Sequence, residues 1–175
     1  MTVLPSHTTE SEKKIWSLLA SVSDPEVPVL SVIDLGIIRD VTIERTGDAH
    51  DKPVITITPT YSGCPAMDVI SINIRMVLLQ AGFREVVIKQ ALSPAWTTDW
   101  MSPEGKDKLK AYGIAPPQYR KTAYSSDAFQ EEVIVPCPQC NSTHTTLVSQ
   151  FGSTACKALY KCEDCKEPFD YFKCH

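Results

Sequence analysis

The sequence lacks long apolar segments and an excess of positive charge. None of its apolar runs approaches the roughly 18 residues that a membrane helix needs. The first residues lack the basic stretch and apolar core of a secretory signal. The net charge is −4, whereas binding to nucleic-acid phosphates favours a basic surface. These absences predict a cytoplasmic protein that keeps its thiols reduced and binds neither membranes nor nucleic acid.

Cysteine is comparatively frequent, and four of the seven cysteines form two Cys-x-x-Cys pairs. The pairs, Cys137 with Cys140 and Cys162 with Cys165, are separated by 21 residues. This spacing is typical of two turns that close a tetrahedral four-thiolate metal site, and thiolates select zinc or iron over magnesium or calcium. Disulfides are the alternative, but they need an oxidising compartment. We therefore predict one structural zinc ion per chain, with iron as the open alternative.

The segment between the two pairs is rich in β-forming residues at 145–151, which predicts a zinc-ribbon hairpin. Many ribbons bind nucleic acid through a basic face. Over residues 137–175, however, four lysines are balanced by four acidic residues: Lys157, Lys161, Lys166 and Lys173 against Glu163, Asp164, Glu167 and Asp170. The balance disfavours that function.

The preceding part of the chain has the pattern of a small α/β domain. Thr9 and Glu12 form a capping-box signature that opens a helix, and the prolines of Asp24–Pro28 end it. The remaining predicted elements are strands at about 37–45 and 54–58, a helix from Cys64-Pro65 to Gly82, a strand at 85–90 and a short helix at 104–112.

This α-β-β-α-β-α order predicts an α+β fold class, in which a two-layer domain with a three-stranded sheet precedes a zinc-ribbon β module. The predicted boundaries are 8–117 for the first domain, 118–132 for a linker that begins after Pro116-Pro117, and 133–175 for the metal module.

Cys64 lies in the loop Tyr61–Ala66, where Gly63 permits a tight turn and Pro65 favours the start of a helix. A helix N-terminus favours an anion, so a thiolate here is able to bind iron, exchange persulfide or attack an electrophile. The alternative is an inert buried cysteine. No histidine is near in sequence to act as a base, so the sequence predicts no catalytic residues.

Acidic residues beside the end of the first helix are further candidates. The carboxylates of Asp24, Glu26 and Asp34 are candidates for metal binding or proton transfer. An aspartate before proline is also a common structural residue in turns. The isolated histidines His7, His50 and His144 are predicted to face solvent.

Two cysteines outside the pairs, Cys156 and Cys174, are candidate spare ligands, although four thiolates already complete a tetrahedral site. We expect Trp96 and Trp100 to pack at the edge of the core or to form part of an interface.

Three segments resemble the small iron–sulfur assembly domain of SufT and of the eukaryotic cytosolic cluster-targeting factors. They are Asp24–Pro28, Asp34–Gly36 and Thr58–Pro65, and the similarity extends through residues 94–103 to residue 117. The C-terminal segments 151–158 and 167–173 resemble the PaaD family, which is encoded with bacterial phenylacetyl-CoA epoxidase.

The resemblance implies a non-catalytic accessory or maturation role in phenylacetate catabolism, serving a system with a di-iron oxygenase and a reductase that carries a 2Fe–2S cluster. Cys64 matches a cysteine proposed to handle iron or sulfur, as a transient iron ion or cluster, and Glu26 matches an acidic position in the same pair of loops. The four paired cysteines match the family's ribbon. Implied partners are the oxygenase, the reductase and the iron–sulfur assembly machinery.

Alternatives to the accessory role are a rubredoxin-like electron carrier and a structural scaffold subunit of the same complex. A homodimer is a further open alternative, because the sequence carries no signal for or against dimerisation.

Overall fold

A computed structural model describes residues 9–45, 50–118 and 134–173. These residues fall into two compact units, which divide between Lys106 and Asp107. His7, Cys174, His175 and most of the predicted linker lie outside the described residues. Within the described ranges, no helix combines the length and apolar character needed to cross a bilayer.

The first unit contains the predicted element order, which confirms the α+β fold class. Its helices and strands are α1 (Glu10–Leu19), β1 (Ile38–Arg45), β2 (Asp51–Ile57), α2 (Ala66–Gln80), β3 (Val87–Gln90) and α3 (Pro103–Tyr112), the last of which crosses into the second unit. The capping box of α1 is present, since the Glu12 N–H donates to Thr9 Oγ1 at 3.2 Å and the Thr9 N–H to Glu12 Oε2 at 2.8 Å.

The three strands form one sheet in the order β1-β2-β3. β1 and β2 are antiparallel, whereas β2 and β3 are parallel. A parallel pair needs a crossover, and α2 provides it. Val54 and Ile55 are neighbours in β2 and face opposite sides of the sheet, yet both are buried, so this central strand is covered on both faces.

The core of the first unit is made by the apolar faces of α1, β2 and α2. Seven side chains there are at most 1% exposed: Ile15, Leu19, Ile55, Ile57, Ile70, Ile74 and Leu78. Trp96 is also buried, and its Nε1 donates to the carbonyl of Leu35 at 2.9 Å, which confirms the expectation that it closes the core. Gly36 has φ +66° and packs against Trp100 where a Cβ would overlap the Trp100 backbone.

The second unit is a three-stranded antiparallel sheet in the order β4-β5-β6. Its strands are β4 (Thr145–Ser149), β5 (Lys157–Cys162) and β6 (Pro168–Phe172). The outer edge of β6 is covered by a parallel bridge between Ala115 and Tyr171, with hydrogen bonds from the Ala115 N–H to Asp170 O and from the Phe172 N–H to Ala115 O. The segment that follows α3 therefore belongs to this unit.

Candidate metal centre and the Cys64 loop

The two Cys-x-x-Cys turns have the same backbone construction. In each turn the first cysteine donates its N–H to the carbonyl five residues later, Cys137 to Ser142 at 2.9 Å and Cys162 to Glu167 at 3.0 Å. The residue after the second cysteine has a positive φ, 60° at Asn141 and 67° at Lys166. This left-handed residue reverses the chain, so that both sulfur atoms of a turn point to the same side.

The four Sγ atoms lie within 4.8 Å of one another. Cys137 Sγ is 3.7 Å from Cys165 Sγ, and Cys140 Sγ is 3.6 Å from Cys162 Sγ. A tetrahedral zinc ion with Zn–S bonds of about 2.3 Å places its sulfur ligands about 3.8 Å apart. The geometry of the four-cysteine cluster therefore fits zinc, and it fits tetrahedral iron equally well.

Electrostatics give a second reason why the cluster needs a cation. Backbone N–H groups of Cys165 and Asp164 donate to the Cys162 sulfur and, against the effect of burial, lower its pKa to about 6. The pKa of Cys165 rises to about 12, because burial and the adjacent thiols outweigh the lowering effect of the Glu167 N–H. Four close sulfurs cannot all ionise without a positive charge among them, and a divalent metal ion supplies that charge.

A polar network connects the two turns beside the cluster. Ser142 Oγ donates to Asp164 Oδ2, and Asp164 Oδ1 lies 3.3 Å from His144 Nδ1. The Ser142 hydroxyl and His144 together lower the pKa of Asp164. His144 is exposed, as expected, but the expectation that it is isolated is wrong, because its partner is 20 positions away in sequence.

Cys156 lies directly before β5, whereas Cys162 ends that strand. A strand of six residues spans roughly 20 Å, so β5 separates Cys156 from the four-cysteine cluster. Cys156 is buried, and its Sγ lies 3.0 Å from Thr154 Oγ1. This position is incompatible with the expectation that Cys156 is a spare ligand of the same metal ion.

Cys64 belongs to the first unit and is half-buried. Its N–H donates to the Tyr61 carbonyl at 3.2 Å, and its own carbonyl accepts from the Met67 N–H at 3.3 Å. Gly63 has φ +81°, as a tight turn before the cysteine requires. Pro65 occupies the N-cap position of α2 without a side-chain cap, so Cys64 stands immediately before the helix.

Thr58, at the other end of this loop, has a feature that the sequence did not predict. Its side chain is 2% exposed, and among the described residues its Oγ1 is the one buried side-chain oxygen or nitrogen without a hydrogen-bond partner. Leaving a buried hydroxyl unsatisfied costs about 1–3 kcal/mol. A buried water molecule or a bound ion is a usual partner of such a group.

The carboxylates of Asp24 and Asp34 both accept hydrogen bonds that stabilise the local fold. Asp24 Oδ1 accepts from the N–H groups of Glu26 at 2.8 Å and Val27 at 2.7 Å, which closes the turn after α1. Asp34 Oδ2 accepts from the Ser31 N–H and hydroxyl, and Asp34 Oδ1 accepts from Ser102 Oγ at 3.1 Å. Glu26 is half-buried within the same turn as Asp24.

Comparison with known proteins connects both units to described families. Residues 12–87 match the family model "Iron-sulfur cluster assembly protein", and residues 121–173 match "PaaD zinc beta ribbon domain". A protein of Escherichia coli (strain K12), named as a putative subunit of 1,2-phenylacetyl-CoA epoxidase, is 50% identical to this chain over 161 residues, covering 92% of each. The chain belongs to the PaaD family.

Two further relatives match just over half of the chain. An Fe-S protein maturation auxiliary factor of Porphyromonas gingivalis (strain ATCC BAA-308 / W83) is 36% identical over 101 residues, which are 57% of this chain and 91% of that protein. The crystal structure of a domain of unknown function, DUF59, from Bacillus anthracis matches with a TM-score of 0.50 and 30% identity, over 56% of this chain and 90% of that one. The PaaD family therefore joins an iron–sulfur assembly domain to a ribbon.

Proposed function

We propose that this protein is a non-catalytic accessory factor of phenylacetyl-CoA epoxidase that assists assembly of its iron or iron–sulfur centres. The observation that carries the proposal is the division of thiols between the two units. Cys137, Cys140, Cys162 and Cys165 form a set that one tetrahedral ion completes, while Cys64 belongs to the other unit, in an assembly-type domain.

In this proposal the four paired cysteines hold zinc, which closes the two turns and stabilises the ribbon. Zinc has no redox chemistry in proteins, so it contributes structure only. The proposed ligand atoms are the four Sγ atoms, and backbone N–H donors in the second turn favour the thiolate form of Cys162. The domain boundaries predicted from the sequence are 8–117 and 133–175 with 118–132 as the linker, whereas the compact units divide earlier, between Lys106 and Asp107.

Cys64 is the proposed handling residue for iron or sulfur, with Glu26 as the acidic group of the same site. Support comes from the position of Cys64 before α2 and from the unsatisfied Thr58 hydroxyl at the start of its loop. Asp24 accepts hydrogen bonds from two backbone N–H groups, which supports a structural role for that residue.

The relatives support a partner within the same system. The E. coli relative is named as a component of the epoxidase, and the P. gingivalis relative as a maturation auxiliary factor. We infer contact with the oxygenase or the reductase, and a cytoplasmic location, where such an assembly step takes place. No epoxide formation is expected from the purified chain alone.

An electron carrier is the second candidate function, because the geometry of the cluster also suits iron. In that case the four cysteines would carry the redox centre, and Cys64 would have no role in it. The scaffold alternative likewise predicts no role for Cys64. One variant therefore separates the proposed function from both alternatives.

The test is Cys64→Ala in cells that express the complete epoxidase system, with Ser62→Ala, an exposed position of the same loop, as the matched control. We expect Cys64→Ala to keep its fold and ribbon zinc but to lower the iron content and activity of the epoxidase. Iron content and activity equal to those of Ser62→Ala would remove Cys64 from the function.

A further inference from the structure

Helix α2 is apolar on two sides. One side is buried and contributes Ile70, Ile74 and Leu78 to the core. On the other side lie four apolar residues that are 43–53% exposed, which we call the α2 stripe: Val69, Ile72, Met76 and Leu79. A surface helix normally carries polar residues on its exposed face. The exposed apolar side chains of the stripe therefore indicate a binding surface.

The spacing of the α2 stripe indicates what kind of surface would cover it. Positions 69, 72, 76 and 79 follow one another by three, four and three residues, the a/d pattern of a helix that packs against another helix. The stripe runs along about 15 Å of the helix. A narrow seam of this kind fits a second helix better than a flat sheet.

The size of the stripe argues against a permanent dimer. The stripe has four half-exposed side chains, whereas each partner in a stable complex contributes about 20–30 residues. A contact of this size is typical of a transient encounter, which an accessory factor makes with the protein that it serves.

Charges beside the stripe also disfavour a second copy of this chain. Asp68 and Arg75 are exposed and lie along the same edge of the stripe, one position before Val69 and Met76. In an antiparallel pair of α2 helices, Arg75 would lie near Arg75 of the other copy at the centre of the contact. A parallel pair would align the two helix dipoles. Both arrangements are unfavourable.

We propose that the α2 stripe docks an amphipathic helix of a phenylacetyl-CoA epoxidase subunit, with a matching apolar seam and an acidic residue opposite Arg75. This inference rests on the proposed function and adds a docking surface to it. Because Cys64 precedes the N-cap residue of α2, a partner helix on the stripe would pack along the helix that follows the proposed handling residue.

The test is photo-crosslinking with p-benzoylphenylalanine placed at Ile72 of the full chain, in cells that express the epoxidase subunits. Ser17, exposed on α1, is the control position. We expect a crosslink from position 72, and none from position 17, to a helix of one epoxidase subunit, identified by mass spectrometry. A crosslink to a second copy, to another segment of this chain, or no crosslink at all would overturn the proposal.

A second pair of variants measures the consequence of docking. Ile72→Lys should lower epoxide formation in cells by about tenfold, which corresponds to about 1.4 kcal/mol of lost binding. Ser17→Lys adds the same charge on α1 and should leave epoxide formation unchanged. Equal activities of the two variants, at equal fold and zinc content, would contradict a functional contact at the stripe.

These outcomes separate docking from iron handling. If Cys64→Ala leaves the epoxidase fully loaded with iron while the crosslink from position 72 persists, the docking surface stands and the proposed function fails. If the crosslink is absent while Cys64→Ala lowers iron content, the docking surface fails and the proposed function stands.

Discussion

The four ribbon cysteines and Cys64 have different surroundings. Each ribbon cysteine lies within a few ångströms of three other sulfur atoms, in turns whose N–H groups point at sulfur. Cys64 occupies a single turn before α2, and its unit has an apolar core that is independent of that thiol. We therefore expect metal binding to be coupled to folding in the ribbon, and a substitution at position 64 to leave the core of the first unit intact.

The ribbon and the first unit also differ in what stabilises them. A ribbon of this size has a small core, composed of Ala115, Val135, Cys137, Ala158, Cys162, Phe169 and Tyr171. Two of these residues are members of the four-cysteine cluster. Small domains of this kind usually need a metal ion or disulfides to fold. The first unit has a larger apolar core, and in the proposed function its Cys64 handles iron or sulfur.

The largest effect is expected from Cys162→Ser. The change removes a buried sulfur of the cluster, and because the binding energy of a structural zinc ion is also folding energy, residues 134–173 should unfold. Zinc content and limited proteolysis measure this, with Cys156→Ser as the matched control at the other end of β5. Retained zinc and protease resistance in Cys162→Ser would show that the ribbon does not depend on its metal.

A smaller effect is expected from Asp170→Asn. Lys157 is 4% exposed, and its Nζ lies 3.7 Å from Asp170 Oδ2. Loss of the carboxylate leaves a buried ammonium group without its counter-charge, which should cost about 3 kcal/mol of unfolding free energy. Ser153→Ala removes only a hydroxyl that donates to the same carboxylate, and should cost no more than about 1 kcal/mol.

Denaturant unfolding of the zinc-loaded ribbon compares these two variants. Equal stabilities would mean that the pair between Lys157 and Asp170 does not hold β5 to β6, and that metal binding alone determines the stability of the ribbon.

The smallest of the three effects is expected from Asp34→Ala, which tests the first unit. The change removes the acceptor of Ser31 and Ser102 and should lower the unfolding free energy by about 2 kcal/mol. Asp40→Ala, at an exposed position, should change it by less than about 0.5 kcal/mol. Ribbon zinc should be unchanged in both variants; zinc loss in Asp34→Ala would contradict the independence of the two regions.

Local signals in the sequence predict much of the secondary structure and the four-cysteine cluster. The capping box at Thr9, the end of α2 before Gly82 and the α-β-β-α-β-α order depend on neighbouring residues, and the structure has all three. The spacing of the paired cysteines likewise places four sulfur atoms together, because each Cys-x-x-Cys turn has few possible conformations.

Features that depend on distant residues were not predictable. Asp34 and Ser102 are 68 positions apart, and nothing in either segment indicates that they meet. The burial of Lys157 and the exposure of Ile72 are similarly set by packing, since the sequence shows only a lysine in a strand and an isoleucine in an apolar helix. The unsatisfied hydroxyl of Thr58 becomes visible only when its surroundings are known.

The most direct test of the comparison is elemental analysis with a visible absorption spectrum of protein purified without oxygen. We predict one zinc ion per chain and no visible absorption, because zinc is a d¹⁰ ion. Cys64→Ala should give the same result. Iron in the four-cysteine cluster, with visible absorption that persists in Cys64→Ala, would contradict the division between a structural ribbon and a reactive loop and would favour an electron carrier.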